Sequence, residues 1–207
     1  MQFKIKNTTY KISFSFLALI LFAITVNKSK AILILLFFAI THELVHLIFI
    51  YYFSVAPQNV TLTILGANIS RGIIVTDNLN SEILINISAP VFNIITGAVF
   101  YLILRCNPNS NSILFDITDA NFVLGFFNLI PFYSFDGGNA LKYVLLKYID
   151  EEKTEKTLTI ISLLITIAFS FISLHIFLNY QHNFSLLIVS IYMFISIIFK
   201  KQNSLDY

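Results

Sequence analysis

Six long stretches of this chain carry almost no charge, and that pattern limits its solvent more than any single motif does. They run near Ile12–Val26, Ala31–Phe53, Ile83–Leu104, Ile117–Phe135, Leu158–Leu178 and Phe184–Phe199. A helix crosses the hydrocarbon core of a bilayer with about 20 apolar residues, and several of these runs reach that length. A chain of 207 residues can bury a core in water without them. Here 57% of residues are hydrophobic and 12% are charged, about half the charge of an ordinary soluble domain. The chain therefore reads as an all-α polytopic membrane protein with about six transmembrane helices.

The first run is short for a span, but Lys11 and Lys28 flank it and can snorkel to the interface. Its basic start also fits a signal peptide, yet no small-x-small cleavage pattern follows, so it is read as a helix. Six spans put the N-terminus, the 54–82 loop, the 136–157 loop and the C-terminus on one side. That side holds Lys4, Lys6, Lys11, Arg71, Lys142, Lys147, Lys153, Lys156, Lys200 and Lys201, ten of the thirteen basic residues. By the positive-inside rule both termini are expected in the cytoplasm of a multi-pass cell-membrane protein. A net charge of +2, scattered between apolar runs, is too small to suggest a nucleic-acid partner, and none is expected. Cys106 is the single cysteine, so no internal disulfide is possible.

Two connections carry their own patterns. Val60, Leu62 and Ile64 alternate with Thr61, Thr63 and Leu65, Gly66 follows, and Ile73–Thr76 is again β-prone. This predicts a small cytoplasmic-side β-hairpin or re-entrant segment. Over Asn139–Lys156, Leu141, Val144, Leu145 and Tyr148 recur at helical spacing, which predicts an amphipathic helix on the membrane surface. The expectation is one membrane-embedded domain, 1–207, with a core at about 31–138 and peripheral helices at 12–26, 158–178 and 184–199. No soluble accessory domain and no repeat is read from the sequence.

The second apolar run contains His42-Glu43-Leu44-Val45-His46. On a helix, residues four apart are offset by about 40°, so both imidazoles can reach one ion. Zinc accepts neutral imidazole nitrogen, and a catalytic site keeps one position open for water. Glu43, beside the first histidine, can take a proton from that water. The segment Ala31–Phe53 is 23 residues long with His42 at its midpoint. A carboxylate at that depth is costly unless it meets a partner or a wet cavity. Hydrogen bonding to neighbouring helices accounts for one buried polar residue but not for three at ligand spacing.

A zinc site needs a third protein ligand, and Asp136 is the candidate. It follows Asn128-x-x-Pro131 at the end of the fourth run. Pro131 lacks an N–H and weakens the helix around 127–131, while Gly137 and Gly138 permit a sharp turn directly after the carboxylate. An interfacial Asp-Gly turn without metal is the alternative.

These residues resemble the site-2 protease family of intramembrane zinc metalloproteases. The resemblance rests on His42-Glu43-x-x-His46 and on Asn128-x-x-Pro131-x-x-x-x-Asp136-Gly137-Gly138. Between them, Ala89-Pro90-Val91-Phe92-Asn93 is similar to the family's Gly-Pro-x-x-Asn element. It implies a three-helix catalytic core and a single zinc ion held by His42, His46 and Asp136, with Glu43 as general base. Asn128, Pro131, Pro90 and Asn93 would be auxiliary or substrate-side residues. The implied partner is a transmembrane or membrane-associated protein substrate, with room for a regulatory membrane partner. The layout looks most like the group containing stage IV sporulation protein FB, which processes a membrane-tethered pro-sigma factor. Asn139 stands where that group commonly has Arg.

Other polar residues take plainer readings. His175 is expected in an interhelical hydrogen bond, His182 in solvent, and Tyr51 and Tyr52 in an interfacial aromatic belt. Pro90 and Asn93 serve equally well as helix-packing residues, aided by Gly97 and Ala98. A metal transporter and a catalytically idle membrane scaffold are the competing functional classes. The intact Glu43 and the lack of repeats weigh against both.

Overall fold

The computed structural model describes residues 2–5, 8–12, 30–53, 59–63, 66–70, 78–106, 112–179 and 185–203. It divides into two compact units, Met1–Leu129 and Ile130–Tyr207.

The first unit contains three mutually packed helices, α1 (Lys30–Phe53), α2 (Leu79–Cys106) and α3 (Ser112–Asn128). Helix α1 is inverted relative to a helix in water. Its buried residues are His42, His46 and Ile50, whereas Leu33, Phe37, Leu44 and Ile48 are exposed. Such a surface is stable where the surroundings are as apolar as the side chains. In α2 the buried residues Ser81, Ile85, Ala89, Asn93 and Gly97 fall four apart, forming one ridge of mostly small side chains. Small residues let backbones approach. A Cβ placed on Gly125 of α3 would lie 2.6 Å from Ile94 Cγ1 and 2.9 Å from the Pro90 carbonyl oxygen. One on Gly97 would meet the Phe122 ring at 2.9 Å.

This unit also holds a four-stranded sheet ordered β1 (Gln2–Ile5), β2 (Thr8–Ile12), β3 (Asn59–Thr63) and β4 (Gly66–Ser70). Strands β3 and β4 pair antiparallel, with Thr63 opposite Gly66. The strand returning from Val60–Thr63 is thus Gly66–Ser70, and Ile73–Thr76 lie outside the described residues. Strands β1 and β2 also pair antiparallel, and β2 runs parallel to β3. Parallel neighbours need a long crossover, and α1 lies within this one. The N-terminal strands were not expected. Their signal is the β-prone run Thr8-Thr9-Tyr10 just before the first apolar stretch.

The second unit contains α4 (Asp136–Leu145), α5 (Glu151–Asn179) and α6 (Ser185–Asn203). Lys142 Nζ lies 2.5 Å from Glu155 Oε1 and ties α4 to α5. The buried side of α5 is a row of hydroxyl residues and one leucine: Thr154, Leu158, Ser162, Thr166 and Ser173. Short hydroxyl side chains suit helix packing in lipid because they take little room and bond locally. Thr166 donates to the Ser162 carbonyl at 2.8 Å, and Ser173 donates to Ser190 Oγ of α6 at 3.3 Å.

Several sequence expectations need correction. The fourth apolar run, expected as a helix over Ile117–Phe135, is helical over Ser112–Asn128. The helix ends before Pro131 because a residue preceding proline is pushed out of the helical region and proline offers no N–H. The amphipathic helix expected over Asn139–Lys156 is broken: α4 ends at Leu145 and α5 starts at Glu151. The sequence Asp150-Glu151-Glu152 is a helix start, with acids in the first turn and the Asp150 carbonyl accepting from Thr154 N–H at 2.9 Å. Gly137 and Gly138 form no turn; they lie within the first turn of α4.

By length and composition, three helices among the described residues are apolar enough to cross a membrane: α1, α2 and α5. The apolar part of α6, Leu186–Ile198, is shorter, and α3 has 17 residues. The first expected span, Ile12–Val26, lies outside the described residues except for Ile12, which belongs to β2.

Candidate metal centre

His42 and His46 stand one turn apart on α1, 4% and 7% exposed, with ring centroids 4.9 Å apart and planes at 84°. Each ring is held from behind by α2. His46 Nδ1 lies 2.9 Å from the Ile85 carbonyl oxygen, and His42 Nδ1 lies 2.9 Å from Asn93 Oδ1. A backbone carbonyl can only accept, so His46 must carry its proton on Nδ1, which leaves the Nε2 lone pair for a metal. Ligating histidines are commonly oriented by such a bond to the far nitrogen.

Asn93 is fully buried, at 0% exposure. Its Nδ2 donates to Asn121 Oδ1 of α3 at 3.2 Å, and Asn121 Nδ2 donates to the Ile117 carbonyl at 2.9 Å. The sequence reading did not single out Asn121. The available signal was a lone amide within the fourth apolar run, where an unbonded polar side chain is costly.

Asp136 is the first residue of α4, directly after the extended Phe135 at φ −100°, ψ 164°. A carboxylate is favoured at a helix N-terminus by the unsatisfied N–H groups and the helix dipole. The Phe135 carbonyl accepts from Asn139 N–H at 3.0 Å, and the buried rings of Phe132 and Phe135 lie 5.0 Å apart. Gly138 has a structural reason of its own. A Cβ there would sit 1.9 Å from the Phe132 carbonyl oxygen, so this helix turn closes on the preceding loop only with glycine. Tyr133 anchors the same loop: its N–H donates to Ser162 Oγ at 3.0 Å and its hydroxyl donates to the Ser196 carbonyl.

His42 and His46 offer two imidazole nitrogens from one face of α1, and Asp136 offers a carboxylate at the start of α4 in the second unit. Two imidazole nitrogens and one carboxylate oxygen are a donor set for zinc with a fourth position left over. The orientation of the His46 tautomer fits coordination as well. Glu43 is half-buried beside His42 on α1. Asn93 lies behind His42 rather than on an open surface. Pro90 packs against α3, and its carbonyl marks the close approach at Gly125. Asn128 closes α3, and Pro131 lies in the loop before Asp136.

The remaining histidines play no part among the described contacts of this cluster. His175 pairs within its own helix, with Asn179 Nδ2 3.2 Å from Nε2, instead of bonding to another helix. His182 lies outside the described residues.

Two buried histidines one turn apart on a helix apolar enough to cross a membrane, with Glu43 beside the first, form a candidate metal-binding motif of the His-Glu-x-x-His type. Comparison with known proteins finds a similar fold and a similar sequence. The fold matches that of a site-2 protease from Methanocaldococcus jannaschii, with a TM-score of 0.65 and 23% identity over 95% of this chain and 93% of that one. In sequence the chain is 29% identical over 175 residues to a zinc metalloprotease of the same organism, covering 79% of this chain and 50% of that protein. The chain thus spans about half the length of this curated relative. No family model matches. Fold and motifs together bear out the resemblance to the site-2 protease family.

Proposed function

We propose that this chain is an intramembrane zinc metalloprotease that hydrolyses a peptide bond in or near a transmembrane segment of a membrane-tethered protein. The observation that carries the proposal is the pair of buried imidazoles His42 and His46, each held through Nδ1 by α2, with Glu43 next to His42 on the same helix. His42, His46 and Asp136 would hold the ion. Zinc, when bound, supplies Lewis acidity toward a water molecule and a carbonyl oxygen. Glu43 then acts twice: its carboxylate takes a proton from the attacking water and returns it to the leaving amine as the peptide C–N bond breaks.

In this reading the chain crosses the cell membrane six times with both termini in the cytoplasm, as the distribution of lysine and arginine supports. Its substrate is a membrane-tethered regulatory protein, and a pro-sigma factor is the class that the sequence resemblance favours. A helical substrate must unwind to expose its scissile carbonyl. Strand β4, at the end of the sheet order, has an edge on which an unwound segment can add as a further strand.

Co-expression with candidate single-span substrates tests the activity. Glu43→Gln should abolish cleavage while the protein still binds zinc. Cleavage retained by that variant would defeat the assignment of the base. Metal flux into proteoliposomes without cleavage would favour a transporter instead.

A further inference from the structure

The two histidines are fixed by different means, and the difference assigns a task to Asn121. His46 bonds to a main-chain carbonyl, which cannot donate. His42 bonds to an asparagine side chain, whose amide can present either its oxygen or its NH2 group. If Asn93 turned its NH2 toward His42, it would stabilise the ring with its proton on Nε2. That form cannot coordinate a metal through Nε2.

The direction of the amide is set one residue further back. Asn121 Nδ2 meets the Ile117 carbonyl at 2.9 Å, and this carbonyl is the one member of the chain whose role cannot reverse. Asn121 must therefore donate there and present its Oδ1 to Asn93. Asn93 must donate to that oxygen at 3.2 Å and present its own oxygen to His42. Both amides are at 0% exposure, so bulk water does not offer them other partners. All these groups belong to the packed set α1, α2 and α3.

We propose that Asn121 is a positioning residue for the metal centre: acting through Asn93, it keeps the His42 proton on Nδ1 and the Nε2 lone pair available to the ion. The inference rests on His42 being a metal ligand, and the test separates the two. Two measurements are made on the purified full chain: zinc affinity by chelator competition, and the tautomer of each histidine in the metal-free protein by 15N NMR.

Wild-type protein should show the Nδ1–H form for both His42 and His46; a His42 proton on Nε2 would overturn the proposal without any variant. Asn121→Leu should lower zinc affinity about 10- to 100-fold, the loss typical when a group bonded to a ligand is removed. The same variant should move His42 toward the Nε2–H form while His46 stays unchanged. Asn121→Asp keeps an acceptor facing Asn93 and should hold both the His42 tautomer and an affinity near that of wild type. The proposal fails if Asn121→Leu leaves His42 and the affinity unaltered, if Asn121→Asp is as damaging as Asn121→Leu, or if His46 changes together with His42. The last result would show that Asn121 only packs the helices. If wild-type protein bound zinc no better than a His42→Ala, His46→Ala variant, the metal site itself would fall, and this inference with it.

Discussion

On α1 the two buried polar side chains are His42 and His46, while Leu44 and Ile48 beside them are exposed. This reversal is the residue-scale signature of a site built inside lipid, where burying an imidazole requires a partner for each nitrogen. The Nδ1 atoms have theirs in Asn93 and Ile85. Asp136→Asn keeps the shape of the third candidate ligand but removes its charge. Zinc affinity measured by chelator competition should then fall further than the roughly 10- to 100-fold seen when a ligand's hydrogen-bond partner is lost. Unchanged affinity would remove Asp136 from the ligand set. Glu43→Gln should behave in the opposite way, with zinc retained and cleavage lost. The contrast between the two variants separates a residue that holds the ion from one that moves a proton.

At the scale of elements, the approach to α4 depends on contacts that leave almost no freedom. Gly138 sits so near the Phe132 carbonyl that a methyl group would have to displace backbone. Gly138→Ala should therefore destabilise the protein by about 1–3 kcal/mol, the usual range of overpacking changes, or displace the start of α4. Either outcome appears as a lower melting temperature in detergent or a loss of zinc affinity; an alanine variant equal to wild type in both would contradict the close approach. Ser162→Ala removes the acceptor for the Tyr133 N–H and should cost about 1–3 kcal/mol, the penalty of leaving a shielded donor unsatisfied. Thermal unfolding would check it. The Lys142–Glu155 pair is about one-third exposed at each side chain, and Lys142→Ala should cost less than about 1 kcal/mol.

For the molecule as a whole, metal and stability are linked. A ligand that binds the folded chain alone stabilises it by about 2.7 kcal/mol when present at one hundred times its dissociation constant. Zinc added to chelator-treated protein should raise the melting temperature in detergent. The same addition should do nothing for a His42→Ala, His46→Ala variant. A shift of equal size in both would place the stabilising metal elsewhere.

What the sequence determined by itself was local. The length of the uncharged runs set the solvent, and spacing four apart on one helix set the pair of histidines, because both follow from the rise and pitch of a single helix. Its errors also have local causes. The start signal at Asp150-Glu151-Glu152 was overridden by a hydrophobic period that continued across it, and the β-prone run before the first apolar stretch was too short to stand out. Only the tertiary structure decided which groups from distant segments meet. The pairing of β2 with β3, the reach from Asn121 through Asn93 to His42, and the gap at Gly138 all depend on how closely backbones approach. Backbone approach is set by side-chain volumes on facing helices, and no periodicity within one segment encodes it.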